Sequence, residues 1–507
     1  MNHLLSLLIF LPFVGGLALL ALARKAEHLV KPSAIVIALL DLLLAAAVLL
    51  RFQPQNLFQM EEKLNWIPRF GIEYHLAVDG ISLFLVLLIP VFILIAMLMA
   101  YASKKAYPGS FFALLLLFEA GLLGTVLALN LFLFYLFWEL MLIPAFFMIG
   151  LWGGPKRKQA VLKFVIYTMV GSLVLLFSIL YLGVQYHAKT GDWSFSLPVL
   201  YQLHLPLTPL VDLLFFGFAL AFLIKVPLFP LHTWLPDTYQ EAPSLVTFLL
   251  SGLMAKMGIY GLIRIVVPLF PESMTQWAPY LSGLAVLGVV YGAFAALGQT
   301  NLKRLLAYSS FSHMSLLALG VFSWNQSSLQ GTLYHIINHA VATGALFLLV
   351  SLIEEHYGTT EIAELGGLAK PAPLFAVLFS LFSFASIGVP GLNGFVGEFL
   401  ILLGVTTHSP LLGAGAALTL ILSAAYMLWL NQRFLFGAFH APQRETSLTL
   451  APLCQAVFVP LVLAVVLMGL YTAPVLERTK SSVQQYLQFR NFPQQVISPE
   501  SDASFHG

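Results

Sequence analysis

Charge is what this 507-residue sequence has least of: 9% of its residues are Asp, Glu, Lys or Arg, against 60% hydrophobic, and its mean hydropathy is +0.91. Soluble chains are about a quarter charged, so the shortfall excludes most soluble enzymes and nucleic-acid binders and points to a chain embedded in a lipid bilayer. The net charge of +2 calls for no polyanionic partner. A single cysteine, Cys454, excludes an internal disulfide, a cysteine-ligated iron–sulfur cluster and a CxxC zinc or redox motif. Neither a P-loop nor a GxGxxG between strand and helix is present, so no nucleotide site is expected in this chain.

Long apolar runs are abundant instead. A spanning helix needs roughly 20 mostly apolar residues, and runs bounded by charge or by Pro and Gly give about fourteen. They lie near 3–23, 31–50, 77–101, 110–129, 131–150, 161–186, 209–231, 243–268, 277–298, 304–324, 329–353, 372–407, 411–436 and 449–472. The first lacks a basic start and a convincing cleavage site, so it is expected to remain. Cytoplasmic loops are enriched in Lys and Arg. Arg24, Lys104, Lys105, Lys156, Arg157, Lys158, Lys303, Arg304 and Arg444 then fall inside, and Arg51, Lys63, Arg69 and Arg490 outside, which places both termini on the outer face of a multi-pass membrane protein. The stretch from Arg51 to His75 reads as an external loop. The polar segment after Thr472, with Pro493 and Pro499, reads as poorly ordered.

Two spans are broken. Pro227 and Pro230 interrupt FLIKVPLFPLHTWLPD, where each removes a donor and clashes with the carbonyl four residues back, orphaning those of Leu223 and Val226. Gly388, Pro390, Gly391 and Gly394 interrupt IGVPGLNGFVGEF. The similar offset of the breaks, and of the spans beginning near 110 and 277, predicts two five-helix repeats. Five is odd, so the repeats are inverted, each with a discontinuous helix near the midplane. The divisions are 1–109 (three helices and the external loop), 110–270 (first repeat), 271–437 (second repeat) and 438–507 (last helix and tail).

An ionisable group at the bilayer centre costs roughly 2.5–3.5 kcal/mol. Glu139, Lys225, Lys256 and Glu398 therefore need a reason to be there: proton-binding groups in series, or oppositely charged pairs that fix packing. Burial disfavours the ammonium of Lys225 and a nearby carboxylate favours it, so movement of Glu139 would switch the site. Burial favours the acid form of Glu398, and the N-terminus of the second half-helix favours its carboxylate. His335 and His339, at i and i+4, share a helix face and are able to relay a proton, with His313 one helix earlier. The alternatives are a metal site, for which no HExxH or carboxylate cluster is apparent, and a packing role, above all for His313. Asp237 and Glu241 read equally as a proton entrance or as turn caps, and Arg264 reads as a snorkelling side chain.

The segments AVDGIS (77–82), FWELMLIP (137–144), KVPLFPLHTWLPD (225–237), LKRLLAYSSFSHMS (302–315) and GVPGLNGFVGEF (388–399) resemble the antiporter-like subunits of respiratory complex I, most closely the M type of the bacterial NADH:quinone oxidoreductase. The resemblance covers nearly the whole chain. It implies an all-α polytopic protein of the bacterial inner membrane, with about fourteen helices, that moves protons while quinone is reduced elsewhere. It also implies a hetero-oligomer with other membrane subunits and lipids, no nucleic acid, and NADH, FMN, iron–sulfur clusters and quinone held by partner subunits. Carried over by motif, the residues that handle protons are Glu139, Lys225, Lys256, His313, His339 and Glu398, with His335 as neighbour. A glutamate at position 398 favours the M type over related subunits and sodium/proton antiporters, which carry lysine there. The competing classes are a subunit of a multisubunit Na⁺(K⁺)/H⁺ antiporter, a ferredoxin- or hydrogenase-linked relative, and a purely structural membrane subunit.

Overall fold

Among the described residues of this computed structural model, twelve helices are long and apolar enough to cross a membrane. The structure describes residues 3–23, 25–203, 205–441 and 448–489. Arg24, Arg444 and Arg490, used in the loop-charge argument, and the tail from 490 lie outside them.

In order, α1 (Leu4–Leu22) and α2 (Glu27–Arg51) lead into a hairpin of β1 (Gln59–Ile67) and β2 (Ile72–Val78), followed by α3 (Leu83–Ala102). The next five-crossing unit starts with α4 (Gly109–Leu127), α5 (Leu131–Leu140), α6 (Leu142–Trp152) and α7 (Arg157–Thr190). After the short α8 (Leu197–Leu200), it continues with α9 (Pro209–Lys225), α10 (Trp234–Glu241) and α11 (Ser244–Leu269). A matching unit follows: α12 (Pro271–Leu297), α13 (Leu302–Phe322), α14 (Gln326–Tyr357), α15 (Pro373–Ser386), α16 (Asn393–His408) and α17 (Pro410–Leu435). The chain then runs through α18 (Pro452–Leu470) and α19 (Ala473–Gln488). With α9–α10 and α15–α16 each counted as one interrupted crossing, the expected fourteen are all present.

The internal repeat is written in main-chain hydrogen bonds. Asn130 caps α5 with its side chain, and Asn301 caps α13 in the same way. Beside each asparagine a two-bond bridge forms with the loop after the unit's third crossing. Leu131 N–H donates to Phe195 O (2.8 Å) and Leu197 N–H to Leu129 O (2.8 Å); likewise Leu302 N–H donates to Thr360 O (2.8 Å) and Ile362 N–H to Thr300 O (2.7 Å). The first bridge adjoins the hairpin, through Leu129 N–H to His75 O (2.8 Å). The second adjoins the opposite surface, where Lys303 donates to Ala242 O (2.5 Å) and lies 3.8 Å from Glu354. Equivalent features on opposite faces are what an odd number of crossings per repeat requires.

Two stretches expected to be irregular are built. The external loop folds as the antiparallel β1–β2 hairpin, whose edge extends onto Ala128 through a bridge from Leu76, so the exposed strand is covered rather than left open. The segment after Thr472 is helical through Gln488, because Val475, Thr479, Val483 and Tyr486 recur at helical spacing and form one buried face. Ser482 Oγ on that face accepts from Gly80 N–H (3.0 Å), so α19 covers the start of α3.

Candidate functional site

The first break is better satisfied than its prolines suggest. Leu223 O is not orphaned, since Leu228 N–H reaches it from five residues ahead (2.8 Å), and Ile224 O accepts from the indole Nε1 of Trp234 (3.0 Å). The second break uses the same bonds. Val389 N–H donates to Phe384 O (3.1 Å) and Leu392 N–H to Val389 O (3.1 Å), matching Leu228 to Leu223 and Leu231 to Leu228 (2.6 Å) at one common offset. In that register Ser386 is the equivalent of Lys225. The breaks repeat, but the charges beside them do not.

Lys225, 1% exposed, closes α9 with its ammonium 3.7 Å above the Trp138 ring and no hydrogen-bond partner. A desolvated cation over an indole face gains about 2 kcal/mol, so Trp138 takes the place a salt-bridge partner would fill. Glu139 is the next residue along α5 and its charge acts on Lys225, yet the two form no ion pair within 4.0 Å. Met141, two residues on, separates α5 from α6.

Lys256 lies in α11 just after a π-helical turn (Leu250–Met254), in which Ala255 N–H bonds Leu250 O rather than Ser251 O. That slip leaves the Ser251 carbonyl available, and Lys256 Nζ donates to it. The same ammonium is 2.7 Å from His339 Nδ1 on α14. From His339 the ring centroids step 5.6 Å to His313 on α13 and 6.2 Å to His335 on α14, with 5.7 Å between the last two. His313 Nδ1 is 3.2 Å and His335 Nε2 3.8 Å from Glu398 Oε1 on α16. A cavity of about 10 Å³ lined by His313, His335, Asn338, His339 and Ser386 fills the middle of this row, near the minimum for one water. Both glycines flanking this end are needed for space. At Gly388, which has a φ of +72°, a Cβ would lie 2.5 Å from Glu398 Oε2, and at Gly397 it would lie 2.6 Å from the His335 Cβ.

The seven residues singled out in the sequence thus form two groups. Lys256, His339, His313, His335 and Glu398 make one continuous row, while Glu139 and Lys225 make a separate pair around Trp138. His313 is not a satisfied packing residue, because neither ring nitrogen has a hydrogen-bond partner. His335 lies farther from Glu398 than His313 does, at 3.8 Å against 3.2 Å. The alternative of a metal at His335 and His339 takes a different form, since His313, His335 and Glu398 bring ligand atoms within 4.8 Å of one another from three helices.

Other readings change. Arg264 does not snorkel; it is 5% exposed and paired with Asp79 at 2.5 Å. Asp237 ties α10 to α7 through Lys163 (2.7 Å) and to α13 through Arg304 (3.1 Å), and Glu241 accepts from Lys156 N–H (2.8 Å), so both act as anchors. Sequence reasoning passed over Trp138, Trp234, His232 and the buried acids Asp41 and Glu119. A lone acid inside an apolar run was signal enough for the last two. His232, stacked at 4.4 Å on Phe311, links the first break to α13.

The described geometry has relatives. The family profile "NADH:quinone oxidoreductase/Mrp antiporter, TM" matches residues 128–423. The chain is 35% identical to NADH-quinone oxidoreductase subunit M of Escherichia coli (strain K12), covering 96% of this chain and 98% of that one. It is 34% identical to NADH-ubiquinone oxidoreductase chain 4 of Marchantia polymorpha, again covering 96% and 98%. A chain of respiratory complex I from Thermus thermophilus superposes with a TM-score of 0.85 at 36% identity, over 95% of this chain and 99% of that one. A chain of the Mrp complex from Dietzia sp. shares the fold, with a TM-score of 0.85 at 21% identity over 98% and 99%.

Proposed function

Because the chain belongs to the NADH:quinone oxidoreductase/Mrp antiporter transmembrane family, we propose that the row from Lys256 to Glu398 is its proton path and that Glu139 and Lys225 control access to it. The chain is a proton-translocating membrane subunit of a complex I type NADH:quinone oxidoreductase and works in a hetero-oligomer with other membrane subunits. In this reading the redox centres, NADH, FMN, iron–sulfur clusters and quinone, sit in those partners. Both termini face the outer side, and the repeats occupy 110–270 and 271–437.

The uninterrupted polar row across four helices supports this reading most directly. Lys256 contacts His339 directly (2.7 Å), His313 comes within 3.2 Å of Glu398, and the three imidazoles between are 5.6–6.2 Å apart around a cavity with room for about one water. A proton reaching Lys256 from the cytoplasmic side passes to His339, through His313 or His335, to Glu398 and out. Moving one charge against 100 mV takes about 2.3 kcal/mol. The contact of Lys225 with Trp138 is of that order, and the charge of Glu139 acts on the same ammonium. A small displacement of Glu139 relative to Lys225, transmitted along α5 and α11, therefore suffices in scale.

Two experiments test this. On native gels of gently solubilised membranes the chain is expected to co-migrate with a large NADH-oxidising assembly, whereas migration in a smaller assembly without that activity would favour a cation/proton antiporter. Within assembled complexes, Lys225→Ala is expected to abolish redox-driven proton pumping. Wild-type pumping and quinone reduction in that variant would sink the scheme.

A further inference from the structure

Two acidic side chains lie off the row and have no role in it. Asp41 stands midway along α2 and Glu119 midway along α4, each the one acid in its apolar run, IALLDLLLA and LLLLFEAGLL. Both are 0% exposed. Helices α2 and α4 pack on each other, each carboxyl group interacts with the other, and among the described residues none of the four buried oxygens has a hydrogen-bond partner. Among the described residues, the one titratable group that acts on each is the other.

Two adjacent carboxylates without a cation or a donor would be a double negative charge in hydrocarbon, which neither burial nor mutual repulsion permits. One proton between the two oxygens removes the mutual repulsion, halves the buried charge and supplies the donor that the site otherwise lacks, and a second would neutralise the pair. A hard metal cation fits poorly, because such ions gather about six oxygens, the pair offers four, and among the described residues no third His, Cys, Asp or Glu joins it. We infer that Asp41 and Glu119 form a further proton-binding site, a carboxyl pair between α2 and α4 that holds at least one proton at neutral pH. Its position gives it a neighbour of consequence. Gly121, two residues beyond Glu119 and so on the other side of α4, packs against the Met141 backbone, where a Cβ would come within 2.7 Å of its nitrogen. Helix α4 therefore lies between this pair and the kink beside Glu139.

The inference rests on the transport reading only for the assembly in which it is measured. Infrared spectra of the purified complete complex in H₂O and in D₂O test it, with the wild type compared with Asp41→Asn, Glu119→Gln and the double variant. An Asn–Gln pair keeps the shape and a hydrogen bond while being unable to take up or release a proton. The expected result is a protonated-carboxyl C=O band in the wild type that shifts in D₂O and is lost in the double variant, or, should that variant fail to assemble, weakened in a single one. Identical carboxyl bands in wild type and variants would overturn the inference, as would failure of all three amide variants to assemble, since charge rather than a shared proton would then be what the site requires. Pumping is read on the same samples, so loss of the band with pumping intact leaves the transport scheme standing.

Discussion

Lys256 Nζ and His339 Nδ1 lie 2.7 Å apart, joining the first repeat to the second through one hydrogen bond between an ammonium and an imidazole, both buried. The bond depends on the π-turn before Lys256, which frees Ser251 O as a second acceptor and holds the ammonium at the helix boundary. Lys256→Met keeps much of the volume and removes both donors. Leaving buried acceptors unpaired costs about 1–3 kcal/mol, a slowing of about 5- to 160-fold if it falls on the transfer step. NADH-driven proton uptake by vesicles, normalised to complex assembled on native gels, is expected to fall accordingly. Wild-type uptake would remove Lys256 from the path.

Trp138 offers a more selective test of the Glu139–Lys225 pair, because it contacts the cation without carrying a charge. Trp138→Leu removes a contribution of about 2 kcal/mol to the ammonium form of Lys225, and pumping per assembled complex is expected to drop by at least about tenfold. Trp138→Phe retains a ring and is expected to lose less. Equal activity in the two variants would mean that the ring supplies bulk rather than a cation-binding face.

These two contrasts show what was legible in the sequence. Lys256 and the histidines stood out because an ionisable group in an apolar helix needs a reason, and the breaks stood out because Pro and Gly stop helices. Trp138 and Trp234 did not, since an aromatic residue in a membrane span is ordinary until its ring is found over Lys225 or its N–H on the Ile224 carbonyl. The trio of His313, His335 and Glu398 was hidden for another reason. Its members come from three helices, and one-dimensional spacing reports only neighbours on a single helix. Arg264 misled because position near a helix end suggests snorkelling, while its partner Asp79 lies far away in sequence. The hairpin was missed because β1 alternates weakly, while the bridge that docks the hairpin on Ala128 is made by Leu76 of β2.

The hairpin carries a pH dependence of its own. His75 Nε2 is 2.6 Å from Glu61 Oε1, and its carbonyl accepts from Leu129 N–H at the end of α4. Burial, the largest influence, holds the imidazole below its ordinary 6.5, although Glu61 and Glu73 pull the other way. Below about pH 6.5 an undocked His75 therefore takes up a proton that the docked one resists, so docking is fully stable above that pH and weakens as pH falls toward the docked value. The protection of residues 59–78 against hydrogen exchange in the assembled complex, taken relative to the intrinsic exchange rate at each pH, is expected to fall as the pH is lowered from 7.5 to 5.5. His75→Gln is expected to flatten the dependence; an unchanged profile in that variant would assign it to another group.

Gly397 sets the distance across which Glu398 meets its histidines. A Cβ there would lie 2.6 Å from the His335 Cβ and 2.8 Å from its Cα, closer than carbon atoms pack, so Gly397→Ala must push α16 away from α14. Overpacking of this kind costs about 1–3 kcal/mol in stability. Glu398 is the next residue, 3.2 Å from His313 and 3.8 Å from His335, and moves with its helix. Proton transfer requires hydrogen-bond reach or a single bridging water, so a retreat of several tenths of an ångström acts on the transfer more than on the fold. The variant is expected to assemble in reduced amount and, per assembled complex, to pump several-fold more slowly. Gly150→Ala, where a Cβ would meet nothing within 4 Å, is the matched control and is expected to match wild type in both. If Gly397→Ala pumps like that control, the spacing of α14 and α16 does not govern the last step, and His335 is a bystander to a transfer carried by His313 alone.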